Sequence, residues 1–247
     1  MFTLPEKRFY RAFQNPKGFR AFNVVAGESD LWIAVPENEY REEVEREVLS
    51  ALISIREQIK AFGEKNPEFL KSLTPLSLPS LVPEVVRVMG EASEKVGVGP
   101  MAGVAGAVNL FVGRKLTELG FSQFIIENGG DLYLKVKRPV VVSLFSKNPN
   151  FSGKLGVELP PGEWGVSTSS SKIGHSLSLG RTDLATVIGK DPVVSDCSAT
   201  YLGNSRSVEE ARERVEKLVE FNRGALALID GKFVVAGDVK LVRLTQK

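Results

Sequence analysis

Between residues 37 and 62 the chain places Val44, Val48, Leu52, Ile55 and Ile59 three or four positions apart, with Glu and Arg between them. That period puts the apolar set on one face of a helix. Gly63 stands where such a helix can stop at a left-handed C′ residue. Before it, Phe19–Ala26 and Leu31–Val35 read as strands joined by the turn Gly27-Glu28-Ser29-Asp30, and Pro36 ends the second. After it, 64–82 is a Pro/Ser/Leu-rich connection, and Pro83 opens a helix from Glu84 to Val96. Gly97-Val98-Gly99-Pro100 breaks that helix, and another follows over 101–119. It begins with the small-residue string Ala102-Gly103-Val104-Ala105-Gly106-Ala107. Each Gly costs about 1 kcal/mol relative to Ala inside a helix, so two in one turn call for a reason. Close packing on a sheet is one, and a backbone open to a ligand is the other.

From Phe124 the pattern changes to short apolar runs at 123–127, 131–137, 139–145, 155–159, 164–168 and 183–189. A short helix covers 196–203, and Ser207 with Glu210 marks the start of another that runs to about Asn222. Ala225–Ile229, Asp230-Gly231 and Lys232–Val235 form a hairpin with a two-residue turn. Strands and helices come in groups, without strict alternation, which predicts an α+β fold with mainly antiparallel sheets. The 247 residues fit one large domain, and 43% hydrophobic with 25% charged residues is the balance of a globular chain with a sizeable core.

Charge excludes more than it suggests. With 32 basic and 30 acidic residues the net charge is +2, and no basic cluster is interleaved with aromatics, so nucleic acid is not an expected partner. No apolar run approaches membrane-spanning length, and the charged start Met-Phe-Thr-Leu-Pro-Glu-Lys-Arg lacks the apolar core of a signal peptide. A cytoplasmic protein is therefore expected. One cysteine, Cys197, excludes an internal disulfide and a zinc cluster of cysteines.

Four segments have chemistry to offer. The glycines at 99–107 can present free N–H groups to phosphate. Glu127-Asn128-Gly129-Gly130-Asp131 reads either as a ligand-holding turn or as an ordinary hairpin turn. Thr168-Ser169-Ser170-Ser171 follows an apolar strand with four hydroxyls, suited to phosphate oxygens or to solvent. His175 lies just beyond, and as the only histidine it must serve any imidazole acid–base step. In Asp196-Cys197-Ser198-Ala199-Thr200, Asp and Thr are four residues apart, hence on one helix face. Two oxygens so placed suit Mg²⁺, although the commoner role of an Asp there is as a helix N-cap.

In their order, Gly-Val-Ala-Gly, Glu-Asn-Gly-Gly-Asp, Thr-Ser-Ser with Gly-His-Ser and Gly-Arg-Thr-Asp, and Ser-Asp-Cys-Ser-Ala-Thr resemble the ApbE-like superfamily, closest to the uncharacterised group UPF0280. The resemblance covers about residues 8–240 and is sharpest over 99–204. It implies one layered, ApbE-like (T-fold-like) α+β domain over 1–247. The family's activity is FAD:protein FMN transfer: Mg²⁺-assisted cleavage of the FAD pyrophosphate and attachment of FMN to a Thr of a partner flavoprotein. Carried over, it implies Ala105, Asp196 and Thr200 as metal ligands, the first through its carbonyl. It implies Asn128, Gly129, Gly130, Thr168, Ser169 and Ser170 around the flavin nucleotide, with His175 and Asp131 as catalytic candidates. The expected ligands are Mg²⁺ and FAD or FMN, and the expected partners a flavoprotein acceptor and a second copy in a homodimer. Two departures stand out. Gly106 follows Ala105 where typical members carry Lys, and His175 lacks the adjacent Pro of the family's His-Pro context. The alternatives are a binding protein that has lost the chemistry, and a role in sulfur-amino-acid assimilation in which Cys197 is the only candidate sulfur carrier.

Overall fold

The computed structural model describes residues 17–146, 151–169 and 180–244. Two antiparallel strands, β1 (Phe19–Ala26) and β2 (Ser29–Pro36), lead into the long helix α1 (Glu43–Lys65), the short α2 (Pro67–Lys71) and α3 (Glu84–Val96). A 3-10 turn, Pro100–Gly103, leads into α4 (Val104–Glu118). Strands β3 (Phe124–Asn128), β4 (Asp131–Val136), β5 (Val140–Leu144), β6 (Leu155–Leu159), β7 (Gly162–Ser169) and β8 (Leu184–Gly189) follow. Helices α5 (Pro192–Gly203) and α6 (Val208–Leu218) precede β9 (Gly224–Ile229), β10 (Lys232–Gly237) and β11 (Lys240–Arg243).

Eight strands pair in the order β1-β2-β3-β4-β7-β8-β9-β10, and three more in the order β11-β6-β5. Each neighbouring pair is antiparallel. The large sheet is covered on both faces, and strand alternation divides its side chains between two cores. On β9, Ala225, Ala227 and Ile229 join the helices, while Leu226 and Leu228 join the small sheet. On β4, Tyr133 faces the helices and Leu134 and Val136 face the small sheet. The result is three layers: helices, large sheet, small sheet. The antiparallel α+β expectation holds.

Several local readings change. Helix α1 starts six residues later than expected and runs through Gly63, which is buried inside it. A Cβ at Gly63 would lie 2.6 Å from the Leu70 side chain, so this glycine admits α2 against α1 and does not end the helix. The true left-handed stop is Gly97, φ 89°, after α3. Ser207 caps α6 by accepting from Glu210 N–H, but Glu210 reaches back to the Arg206 N–H and not to that of Ser207. Asp230 and Gly231 both have positive φ, 49° and 74°, as the expected two-residue hairpin turn requires. Among the described residues no single helix is long and apolar enough to cross a membrane; α3 and the Pro100–Glu118 stretch meet at 107° and both contribute to the helical core.

Helix α5 lies flat on β7 and β8 because Gly165 lets it. A Cβ there would sit 2.6 Å from Pro192 Cα. Gly165→Val is expected to lower stability by about 1–3 kcal/mol through overpacking, read as a lower urea midpoint with an unchanged slope.

Candidate functional site

Asp191 accepts hydrogen bonds from Val193 N–H at 2.8 Å and Val194 N–H at 3.2 Å, and Pro192 takes the first helical position. Helix α5 therefore starts at Pro192, before the expected 196, and Asp196 is not its cap. Asp196 lies a full turn inside a helix buried along almost its whole length, with only 8% of its surface exposed. A carboxylate in such a place needs donors. Gly106 supplies one, its N–H donating to Asp196 Oδ2 at 2.8 Å. This amide belongs to the first turn of α4, where N–H groups have no partner within the helix and carry partial positive charge.

The glycines make that contact possible. A Cβ at Gly106 would lie 2.3 Å from the Pro192 carbonyl oxygen, and one at Gly103 would lie 2.8 Å from Cys197 Sγ. The small-residue string thus packs α4 on a helix, where a sheet was one expectation, and it also turns a backbone amide toward an acidic ligand. The same clash bears on the Lys that the motif resemblance leads one to expect at this position: no side chain fits at Gly106 unless α5 moves.

The second acid arrives from the sheet. Gly129 and Gly130, at φ 70° and 100°, close a two-residue turn in which Asn128 pairs with Asp131. Glu127 Oε1 accepts from Gly130 N–H at 2.8 Å and stiffens the turn. Nothing stands within 4 Å of a Cβ at Gly130, so the backbone conformation, not crowding, selects glycine there. Asp131 Oδ1 accepts from Thr168 N–H at 3.2 Å, and its backbone carbonyl accepts from Asn109 Nδ2 at 3.0 Å. Pairing of Leu132 with Val166 puts Ser167 alongside Asp131.

Burial, then the charge of Asp196, then that of Glu127 push the Asp131 carboxyl well above its ordinary range, against the Ser167 hydroxyl and the Thr168 amide. Burial likewise raises Asp196 to about 7, opposed by the amides of Gly106 and Ala105. Two carboxyls from β4 and α5 are thus held within electrostatic reach of one another.

The other expected residues fall around them. Thr200, half-buried, follows Asp196 by one turn of α5, and Ala105 precedes Gly106 in the first turn of α4. Asn128 is buried at the end of β3. Thr168 brings its amide, while its hydroxyl pairs with Thr186 Oγ1 at 3.0 Å. Ser169 packs against Gly203 at the end of α5. Ser170 and His175 lie outside the described residues. Cys197 is fully buried, and burial followed by the charges of Asp196 and Asp191 raises its thiol, which disfavours the thiolate a sulfur carrier needs.

Among the described residues no three His, Cys, Asp or Glu side chains form a metal cage. Mg²⁺ does not require one, since it takes one or two carboxylates and keeps several waters. The donor chemistry of Asp196, Thr200 and nearby Asp131 fits such a cation, which would relieve the mutual repulsion of the carboxyls. Asn109 and Ser167 escaped the sequence reading. Asn109 had a signal, as the one polar side chain in Val104–Val112; Ser167 had none.

A family model described as AbpE bacteria matches residues 11–219. A UPF0280 protein of Methanococcus maripaludis is 36% identical over 196 residues, covering 76% of this chain and 77% of that protein. The chain belongs to the UPF0280 family of ApbE-like proteins. A UPF0280 protein of Methanocaldococcus jannaschii is 32% identical over 219 residues, covering 87% and 86% of the two chains. In solved structures the UPF0280 fold matches the flavinyl transferase ApbE of Pseudomonas stutzeri with a TM-score of 0.63 at 15% identity, over 88% of this chain and 93% of that one. The ApbE protein of Thermotoga maritima gives 0.55 at 12% identity, over 90% and 96%. These structures share the layered fold expected from the motifs.

Because the folded pKa of Asp196 is raised, the protonated acid is the form favoured by folding. In metal-free protein the contribution of Asp196 to stability should therefore be full below about pH 4 and be lost as pH rises through about 7. Asp196→Asn, which retains an acceptor for Gly106 N–H, should flatten that slope in thermal melts taken with a chelator.

Proposed function

We propose that the chain binds a flavin dinucleotide with Mg²⁺ and cleaves its pyrophosphate, yielding AMP and passing FMN to a hydroxyl acceptor. The acceptor in this reading is a Thr of a flavoprotein, or water in the absence of one. The observation that supports it is the pairing of Asp131 and Asp196 beside the first turn of α4, in the fold of proteins described as flavin transferases. A fold alone hosts many functions, so weight rests on the pair.

Asp196 and Thr200 would hold Mg²⁺, with the Ala105 carbonyl as the expected third ligand. Bound there, the cation would neutralise diphosphate charge. The acceptor oxygen forms a bond to the FMN phosphorus while the bond to the AMP oxygen breaks. Asp131, pushed by burial well above the ordinary carboxylate range, suits the role of taking the acceptor proton when it is ionised beside the cation; His175 is the other candidate. Beside Asp131, a Cβ at Gly130 would meet no atom within 4 Å, and the nucleotide in this reading approaches from that turn.

A second reading follows from Gly106. With no room for the Lys of typical members, the site has one positive charge fewer for the phosphates, which favours holding FAD or FMN without transfer.

Incubation with FAD and Mg²⁺ should release AMP and FMN, measured by chromatography, and Asp196→Ala should reduce this at least about 100-fold. Absence of AMP from folded protein across divalent metals and acceptors would sink the enzyme reading. A metal-dependent rise in melting temperature with FAD, without AMP, would establish the second. Gly106→Lys should not raise turnover, and should instead lower the melting temperature by displacing α5.

A further inference from the structure

We propose that Asn109 is a positioning residue of this site, holding the start of β4 against α4 and keeping its Oδ1 as an acceptor for water carried by the bound cation. The inference rests on the metal-and-nucleotide reading above and extends it to a residue outside the expected motifs.

Asn109 is completely buried on α4, among Val104, Ala107, Val108, Leu110 and Val112. An amide is costly in such a place unless its donors and acceptor are used. Its Nδ2 is used, donating to the Asp131 carbonyl at 3.0 Å. Its Oδ1 has no hydrogen-bond partner among the described residues. An apolar side chain would fill the same space without leaving a buried acceptor unpaired, so the local packing alone does not explain an Asn.

Its place on the helix does. Asn109 lies three residues after Gly106 and four after Ala105, so all three share one face over a single turn. By its main chain that turn holds Asp196 of α5, and by its side chain it holds Asp131 of β4. One rigid helical turn thus sets the spacing between the two carboxyls. Ser167, buried beside Asp131, turns its hydroxyl to that carboxyl. The amide oxygen of Asn109 is thus the buried acceptor left unpaired on the side chain that holds Asp131, and a hydrated ion can satisfy it. Mg²⁺ retains several waters, each with protons to donate, and groups that bind the ligands of a metal rather than the metal alter affinity about 10–100-fold when removed.

The test is Mn²⁺ binding, by the loss of the free-ion paramagnetic resonance signal, to the full chain and to Asn109→Leu and Asn109→Ser, with metal-free melting temperatures alongside. Asn109→Leu removes the unpaired acceptor as well as the donor, so its metal-free melting temperature should stay within a few degrees of the parent. Mn²⁺ should nevertheless bind at least about tenfold more weakly. Asn109→Ser, which is smaller and cannot reach the Asp131 carbonyl, should show the same loss and carries the test if the Leu variant does not fold. Unchanged Mn²⁺ affinity in a folded variant overturns the proposal. So does a loss of affinity only as large as the loss of fold. Failure of the parent itself to bind Mn²⁺ would remove the metal reading along with it, whereas binding by the parent and loss in Asp196→Ala would leave that reading intact whatever Asn109 does.

Discussion

The hydrogen bond from Gly106 N–H to Asp196 fixes how closely α4 and α5 approach, and the site is arranged around that approach. It joins a donor that a helix start leaves free to an acid that a buried helix cannot leave unanswered. Only glycine at 106 allows it, because the Pro192 carbonyl occupies the place of a side chain. The contact also gives a physical reason for Gly106. Where the motif resemblance leads one to expect a Lys, this chain uses the space to bring two backbones together. The positive end of α4 then stands in, in part, for the missing cation.

The large sheet supplies the other half. Its helix-facing positions carry Asn128, Asp131 and Ser167 at one end, while intervening positions bury leucines against the small sheet. Alternation thus separates chemistry from packing within the same strands. Thr168 shows the separation in a single residue: its amide serves Asp131, and its hydroxyl turns to Thr186.

Much of this was legible in the sequence. The periods of three or four and of two located most helices and strands, and the Asn-Gly-Gly-Asp and Asp-Gly turns were correctly placed because their backbone demands glycine. The spacing of Asp196 and Thr200 did describe one helix face. What could not be read was long-range. Gly63 looks like a stop until Leu70 is seen to cover it, and Asp196 looks like a cap until Asp191 and Pro192 are seen to open the helix earlier. Ser167 lies in an ordinary strand pattern, and only its neighbour across the sheet gives it meaning. Asn109 was visible as a polar interruption, but its partner lies 22 residues away.

Those separations have a consequence for how the protein comes to be folded. The β3–β4 turn is local and can form within microseconds, but the bond between α4 and α5 closes a loop of 90 residues. Closing so long a loop costs entropy before any contact repays it. The two acids therefore meet only when the chain has completed α5, and a nascent chain that ends before it has the turn without the site.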